Sequence, residues 1–230
     1  MIMMASSKSI ASLRSCILTI VLLLSASFQA KAVVLTSGGV LTPGTTALSG
    51  GTVLTNEFVA FSGISGIDVT NFTGTIQLEV VKETGGTLDF YFQVSNNASS
   101  LDAIMRLTTG NYTGFATDVD WTTNAAVGVA SSIGVRSTSA TRTTTDTVGF
   151  NFVDGSLGGS GVLLPGTNSA LLFIKTDATQ FTAGSVSLIN NATVNIPAFA
   201  PVVPEPGTWV LVAMGTGFAA FLRGRRQIRR

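Results

Sequence analysis

Ile76-Gln77-Leu78-Glu79-Val80-Val81-Lys82, then Glu83-Thr84-Gly85-Gly86, then Leu88-Asp89-Phe90-Tyr91-Phe92-Gln93-Val94-Ser95 decides the fold class. On each side of the glycine turn, apolar residues recur at every second position. Ile76, Leu78 and Val80 answer Leu88, Phe90, Phe92 and Val94. Successive side chains of a strand point to opposite faces, so two such runs around a short Gly-containing turn predict a β-hairpin with one buried face. Gln77, Glu79, Asp89, Tyr91 and Gln93 then fall on the other face.

Working outward, further short strands are expected over 52–61, 104–108, 115–121, 126–135, 147–153, 170–176, 185–189 and 193–196. Gly and Asn punctuate them at Gly50-Gly51, Gly110-Asn111, 155–161 and Asn190-Asn191. The body between the terminal apolar runs is rich in Thr, Ser, Gly, Val and Phe and poor in helix formers, the vocabulary of strands and tight turns. No helical periodicity extends over ten residues there, a turn near 99–104 being the nearest approach. Regularly spaced strands with turn signals predict an all-β chain, an antiparallel β-sandwich of jelly-roll or immunoglobulin-like kind. Residues 198–203 read as a proline-marked exit linker.

Both ends carry export signals. Lys8 and Arg14 precede an apolar run over 17–24, and Ala30-Lys31-Ala32 supplies the small residues a signal peptidase reads, so residues 1–32 read as a signal peptide. Its apolar core is too short to span a bilayer comfortably. Cys16, the chain's one cysteine, leaves with it, and the exported product then has no disulfide. At the other end, Pro204, Glu205 and Pro206 lead into a charge-free apolar stretch, a predicted transmembrane helix over 208–222. Arg223, Arg225, Arg226, Arg229 and Arg230 follow as a stop-transfer cluster that favours the cytoplasmic side. About 15 helical residues rise only ~22 Å, short of a ~30 Å hydrocarbon core, which suits a segment held briefly for processing.

This order of Pro-Glu-Pro, short hydrophobic helix and Arg-rich end resembles the PEP-CTERM sorting signal of Gram-negative bacterial surface proteins. The resemblance covers residues 201–230 and implies recognition by exosortase, a membrane-embedded cysteine transpeptidase-like enzyme, with removal near Pro204, Glu205 and Pro206. Residues 86–97 and 171–186 also resemble the bodies of PEP-CTERM proteins, which implies an extracellular β domain over 33–200. A passage through the inner membrane, then release to the cell surface or beyond, is what the resemblance implies for location. A glycolipid-anchor signal is rejected because it would end in its apolar tail, and this chain ends in arginines.

Charge, counted by segment, bounds the function. The chain has 13 basic and 12 acidic residues. Between residues 33 and 203, five basic residues (Lys82, Arg106, Arg136, Arg142, Lys175) face eleven acids, a net charge of 5 − 11 = −6. A mildly acidic, charge-poor body argues against nucleic acid as a partner. There is no histidine, which removes Ser-His-Asp and Cys-His catalysis, His-based zinc sites and His-ligated haem. The Gly-rich stretches carry no phosphate-loop lysine. Four Asn-x-Ser/Thr triplets, at Asn71, Asn97, Asn111 and Asn191, are what a Thr- and Ser-rich chain produces by chance.

Carboxylates and aromatics remain. Asp118 and Asp120 lie two apart in a predicted strand, on one face, with Val119 and Trp121 on the other. They read as a solvated strand face beside a packed Trp121, or as a calcium ligand pair. A glycosidase pair would need carboxylates facing each other across a sugar at ~5–9 Å, which neighbours in one strand do not provide. Asp146, Asp154 and Asp177 read as turn residues. Trp121, Tyr91 and Tyr112 are the candidate sugar contacts. Tyr91, pointing away from Phe90 and Phe92, is the one expected to be exposed. The expected function is a non-enzymatic, exported structural or adhesive protein tied to exopolysaccharide or biofilm, with no cofactor. A carbohydrate- or calcium-binding module is the alternative, and a carboxylate-dependent hydrolase the third reading.

Overall fold

The quoted hairpin is the centre of the observed architecture. β4 (Thr70–Glu83) and β5 (Leu88–Asn96) pair antiparallel, with Ile76 opposite Val94, Leu78 opposite Phe92 and Val80 opposite Phe90. Between them, the Gly86 N–H donates to the Glu83 carbonyl at 2.9 Å, and the Glu83 N–H donates to the Thr87 carbonyl at 2.9 Å. Gly86 takes a φ of 90°, a conformation that favours glycine because it has no Cβ.

The computed structural model describes residues 33–44, 48, 50–64, 70–124, 134–152 and 161–202. The other strands are β1 (Val33–Val34), β2 (Val40–Leu41), β3 (Gly51–Ile64), β6 (Arg106–Thr109), β7 (Thr117–Thr122) and β8 (Ser139–Arg142). They continue with β9 (Val148–Asn151), β10 (Leu171–Thr176), β11 (Phe181–Ile189) and β12 (Thr193–Pro201). Two six-stranded sheets form, in the orders β1-β7-β10-β5-β4-β3 and β12-β11-β6-β9-β8-β2. Every strand pair is antiparallel. A single buried cluster joins the sheets, with Ile76, Leu78, Phe90, Phe92, Leu172 and Ile174 from the first meeting Leu107, Phe150, Val186, Leu188 and Ile196 from the second. Each such side chain withdrawn from water contributes roughly 1.5–3 kcal/mol, and that is what holds the sheets face to face. The described residues are thus all-β, two antiparallel sheets consistent with the expected sandwich.

One buried cation ties the end of the sandwich together. The Arg142 guanidinium contacts Asp146 at 2.8 Å and donates to the carbonyls of Tyr112 (2.7 Å), Phe115 (3.1 Å) and Leu35 (3.3 Å) and to Thr117 Oγ1 (2.8 Å). A charge this deeply placed is tolerable because its donors are so fully used.

The structure corrects the linker expected at 198–203. β12 runs on to Pro201, with Pro197 and Pro201 inside it. β12 is an edge strand, so a proline's missing N–H costs no ladder bond where it faces away from β11. The strand expected over 126–135 falls largely on residues outside those described, and Val135 makes an isolated bridge to Ser169. The predicted signal peptide (1–32) and transmembrane helix (208–222) also lie outside the described residues. Among the described residues no helix is long and apolar enough to cross a membrane.

Candidate functional site

The first sheet buries its outward face as well as its inward one. β10 explains why: Leu171-Leu172-Phe173-Ile174 is apolar at consecutive positions, so both faces of that strand need cover. Leu172 and Ile174 enter the sandwich core. Leu171 and Phe173 turn outward and join Val81 and Tyr91 in a second cluster, against which Leu48 and Val53 pack. Leu48, from between β2 and β3, thus lies on this face. A Cβ on Gly44 would sit 3.9 Å and 4.0 Å from the two carboxylate oxygens of Asp120.

Antiparallel register gathers the charged residues on the same face. In one row Asp118 lies opposite Lys175, Lys175 opposite Asp89, and Asp89 opposite Val81. In the next row Asp120 lies opposite Phe173, Phe173 opposite Tyr91, Tyr91 opposite Glu79, and Glu79 opposite Asn56. Lys175 Nζ stands 3.5 Å from both Asp89 Oδ2 and Glu83 Oε1. The Tyr91 hydroxyl donates to Asp89 Oδ2 at 3.3 Å. Asp120 Oδ1 accepts the Trp121 N–H at 2.9 Å. An open pocket of about 210 Å³ adjoins the first row, lined by Thr87, Ala116, Asp118, Lys175, Thr176 and Asp177.

Burial dominates the electrostatics. Glu79 is 1% exposed and neither of its carboxyl oxygens has a hydrogen-bond partner. Loss of hydration pushes its pKa up from 4.5 to about 7. Burial, and then a hydrogen bond shared with Glu83, push Asp89 up from 3.8 to about 8, although Lys175 pulls the other way. Burial, followed by the neighbouring Asp89 charge, also raises the Tyr91 phenol. The face thus holds protons on two carboxyls near neutral pH, where exposed carboxyls would have lost them.

Asp118 and Asp120 do share a face, opposite Val119 and Trp121. Asp120 is 1% exposed, which corrects the solvated reading for that residue, whereas Asp118 is half-buried and lines the open pocket. Among the described residues no group of three or more His, Cys, Asp and Glu side chains is placed to hold a metal ion. Tyr91 points away from Phe90 and Phe92 as expected, yet it is 2% exposed, because the second cluster covers it. Its ring packs on Phe173 with centroids 5.7 Å apart. Tyr112 is fully buried with its ring edge-on to Phe90 at 6.0 Å. Trp121 belongs to the main core, and the Arg136 guanidinium lies 4.6 Å above its ring. None of the three aromatics offers a ring face to solvent for stacking on a sugar, a correction to the surface role expected of them. The convergence of Glu79, Glu83, Asp89 and Lys175 was missed. Its signal was the double-sided apolar run in β10, with Val80-Val81 repeating it in β4.

Pro204, Glu205, Pro206 and the five terminal arginines lie outside the described residues. Their sequence is nonetheless decisive, since residues 202–227 match the PEP-CTERM protein-sorting motif. The chain carries a PEP-CTERM sorting signal. That signal implies export, processing by exosortase and sorting to the cell surface. The match begins one residue after β12 ends at Pro201, so signal and folded body adjoin directly. No curated protein and no solved structure matches the chain.

Proposed function

We propose that the PEP-CTERM protein is a non-enzymatic structural or adhesive component of the cell surface or extracellular matrix, associated with exopolysaccharide and biofilm. The carrying observation is the sorting motif at 202–227 placed directly behind a β-sandwich. The body supports the reading in two ways. Its surface is poor in charge and rich in threonine, which suits hydrogen bonding to polysaccharide. Its two most deeply buried carboxyls, Glu79 and Asp89, are withdrawn from solvent, out of direct reach of a substrate. In this reading the protein needs no cofactor, and signal peptidase and exosortase are its processing partners, with passage through the inner membrane before release.

The test is fractionation of producing cells with intact-mass analysis of the exported product. Mature protein should lack residues 1–32 and Arg230, and Pro204→Ala should leave it in the membrane fraction. A strain lacking the protein should form a weaker matrix. Arrival outside the cell with Arg230 attached would overturn the processing claim, and an unaltered matrix would overturn the structural role.

A further inference from the structure

A β-sheet edge exposes unpaired N–H and C=O groups, and folded proteins blunt such edges with short strands, prolines or charge. Three of the four edges here follow that rule. β1 and β2 have two residues each, and β12 carries Pro197 and Pro201. β3 breaks it. It has 14 residues, no proline and one charged side chain, Glu57, and among the described residues no strand lies on its far side. Leu54 (44% exposed), Phe58 (69%) and Ile64 (54%) stand out along it. An exposed Phe on an open, nearly uncharged edge is a template for another strand.

The strand's own sequence says which strand fits. β3 is regular between its irregularities at Val53/Thr55 and Gly63/Ile64. Antiparallel pairing of two copies about Phe58 sets Phe58 against its own copy, Glu57 against Val59, Asn56 against Ala60 and Thr55 against Phe61. Directly opposed residues share a face, so both Phe58 rings meet on the outward side as an aromatic cross-strand pair. Pairing about Glu57 would instead oppose two carboxylates, which is unfavourable. In the register about Phe58 the two Glu57 carboxylates lie diagonally rather than directly opposite, so the one charge that β3 carries does not meet its own copy head-on. We propose that β3 pairs with β3 of a second copy of this chain, antiparallel about Phe58, joining two six-stranded sheets into one. The contact is a single strand pair, so the dimer belongs to the weak, concentration-dependent class. Crowding of exported copies at a surface compensates for that weakness. The inference rests on the edge geometry and not on the proposed matrix role.

Sedimentation of the exported protein over a concentration series tests it. Wild type should shift reversibly from monomer to dimer. Phe58→Lys and Phe58→Glu should each weaken dimerisation about tenfold or more, because each sets like charges together on the two-fold axis. Mixing the two variants should restore a dimer, since Lys then meets Glu. Both changes are at a solvent-facing position, so melting temperature checks that folding is intact. A wild type that stays monomeric throughout overturns the proposal, as do variants that dimerise like wild type. So does a mixture that stays monomeric while each variant melts normally.

Discussion

Glu79→Gln should change the shape of the protein's stability-versus-pH curve, and the change can be worked out from the fold. Both carboxyl oxygens of Glu79 are buried without partners, and burial raises its pKa from 4.5 to about 7. An unfolded chain releases this proton near its ordinary value, whereas the folded chain keeps it to about pH 7. Between those values the unfolded state binds fewer protons, so stability falls as pH rises, at about 1.4 kcal/mol per pH unit. The shift of about 2.5 units corresponds to ~3 kcal/mol. Glu79 stands on β4, one strand in from the sheet edge, and solvent screening near that margin reduces the figure to about 2 kcal/mol. The penalty is absent below pH 4.5, develops through pH 7 and is constant above it. The glutamine variant has no ionisable group at this position and loses this slope, while any fixed cost of burying its amide is the same at every pH. Relative to wild type, the variant should therefore gain about 2 kcal/mol between pH 4.5 and pH 8, or roughly 4–8 °C in melting temperature. Urea titrations or thermal melts across that range read the difference directly, and the slope from Asp89 cancels because both proteins retain it. Parallel curves for the two proteins would refute the claim that Glu79 is buried and protonated.

Arg142→Met should cost about 3–5 kcal/mol, because it takes the guanidinium from the buried Asp146 carboxylate and the Phe115 carbonyl, while the Leu35 and Tyr112 carbonyls keep the Thr117 hydroxyl and the Phe115 N–H; a loss below 1 kcal/mol in chemical denaturation would contradict the network. Gly74→Ala should cost about 3 kcal/mol, since a Cβ there runs into the Ser95 carbonyl oxygen and the Phe61 ring; an unchanged melting temperature would mean those strands are further apart. Asp89→Asn should remove a pH dependence of the same sign as that of Glu79, with stability lost as pH rises from 3.8 towards about 8, and retention of that slope would show the raised group lies elsewhere. Millimolar calcium should leave the melting temperature unchanged, because Asp118 lies opposite Lys175 and Asp120 already accepts the Trp121 N–H. A calcium-induced rise lost in Asp118→Asn would reverse that conclusion.

The fold was legible where pattern and burial agree. The β4–β5 hairpin satisfied period two, turn chemistry and strand propensity together, and its turn formed at Glu83 to Gly86 as read. β8, Ser139–Arg142, gave no such signal, because its four residues include no large apolar side chain and only its neighbours make it a strand. The end of β12 was hidden for a different reason. Pro197 and Pro201 are strand breakers in general, but they are permitted on an edge, and whether a strand is an edge is a property of topology that no local window contains.

The candidate site was lost at a more instructive step. Alternation correctly assigned Tyr91, Glu79, Asp118 and Asp120 to the face opposite the core, and the inference from "opposite the core" to "in water" then failed. That inference holds for an antiparallel sheet with one bare face. Phe173 and Leu171 show that this sheet has none. Two adjacent outward apolar residues on a central strand require a cover, and Leu48 and Val53 pack against them. Once that cover is in place, polar residues drawn to the face by alternation are desolvated beside their apolar neighbours, which is why Glu79 and Asp89 keep their protons. The same geometry separates two roles on one sheet. The central strands carry a closed, proton-holding face. β3, at the margin, keeps an open backbone edge and an exposed Phe58, so association with another copy can proceed without disturbing the buried carboxyls. Phe58→Lys should accordingly leave the pH slope of stability intact, and Glu79→Gln should leave dimerisation intact. Cross-talk between the two would show that edge and covered face form one cooperative unit.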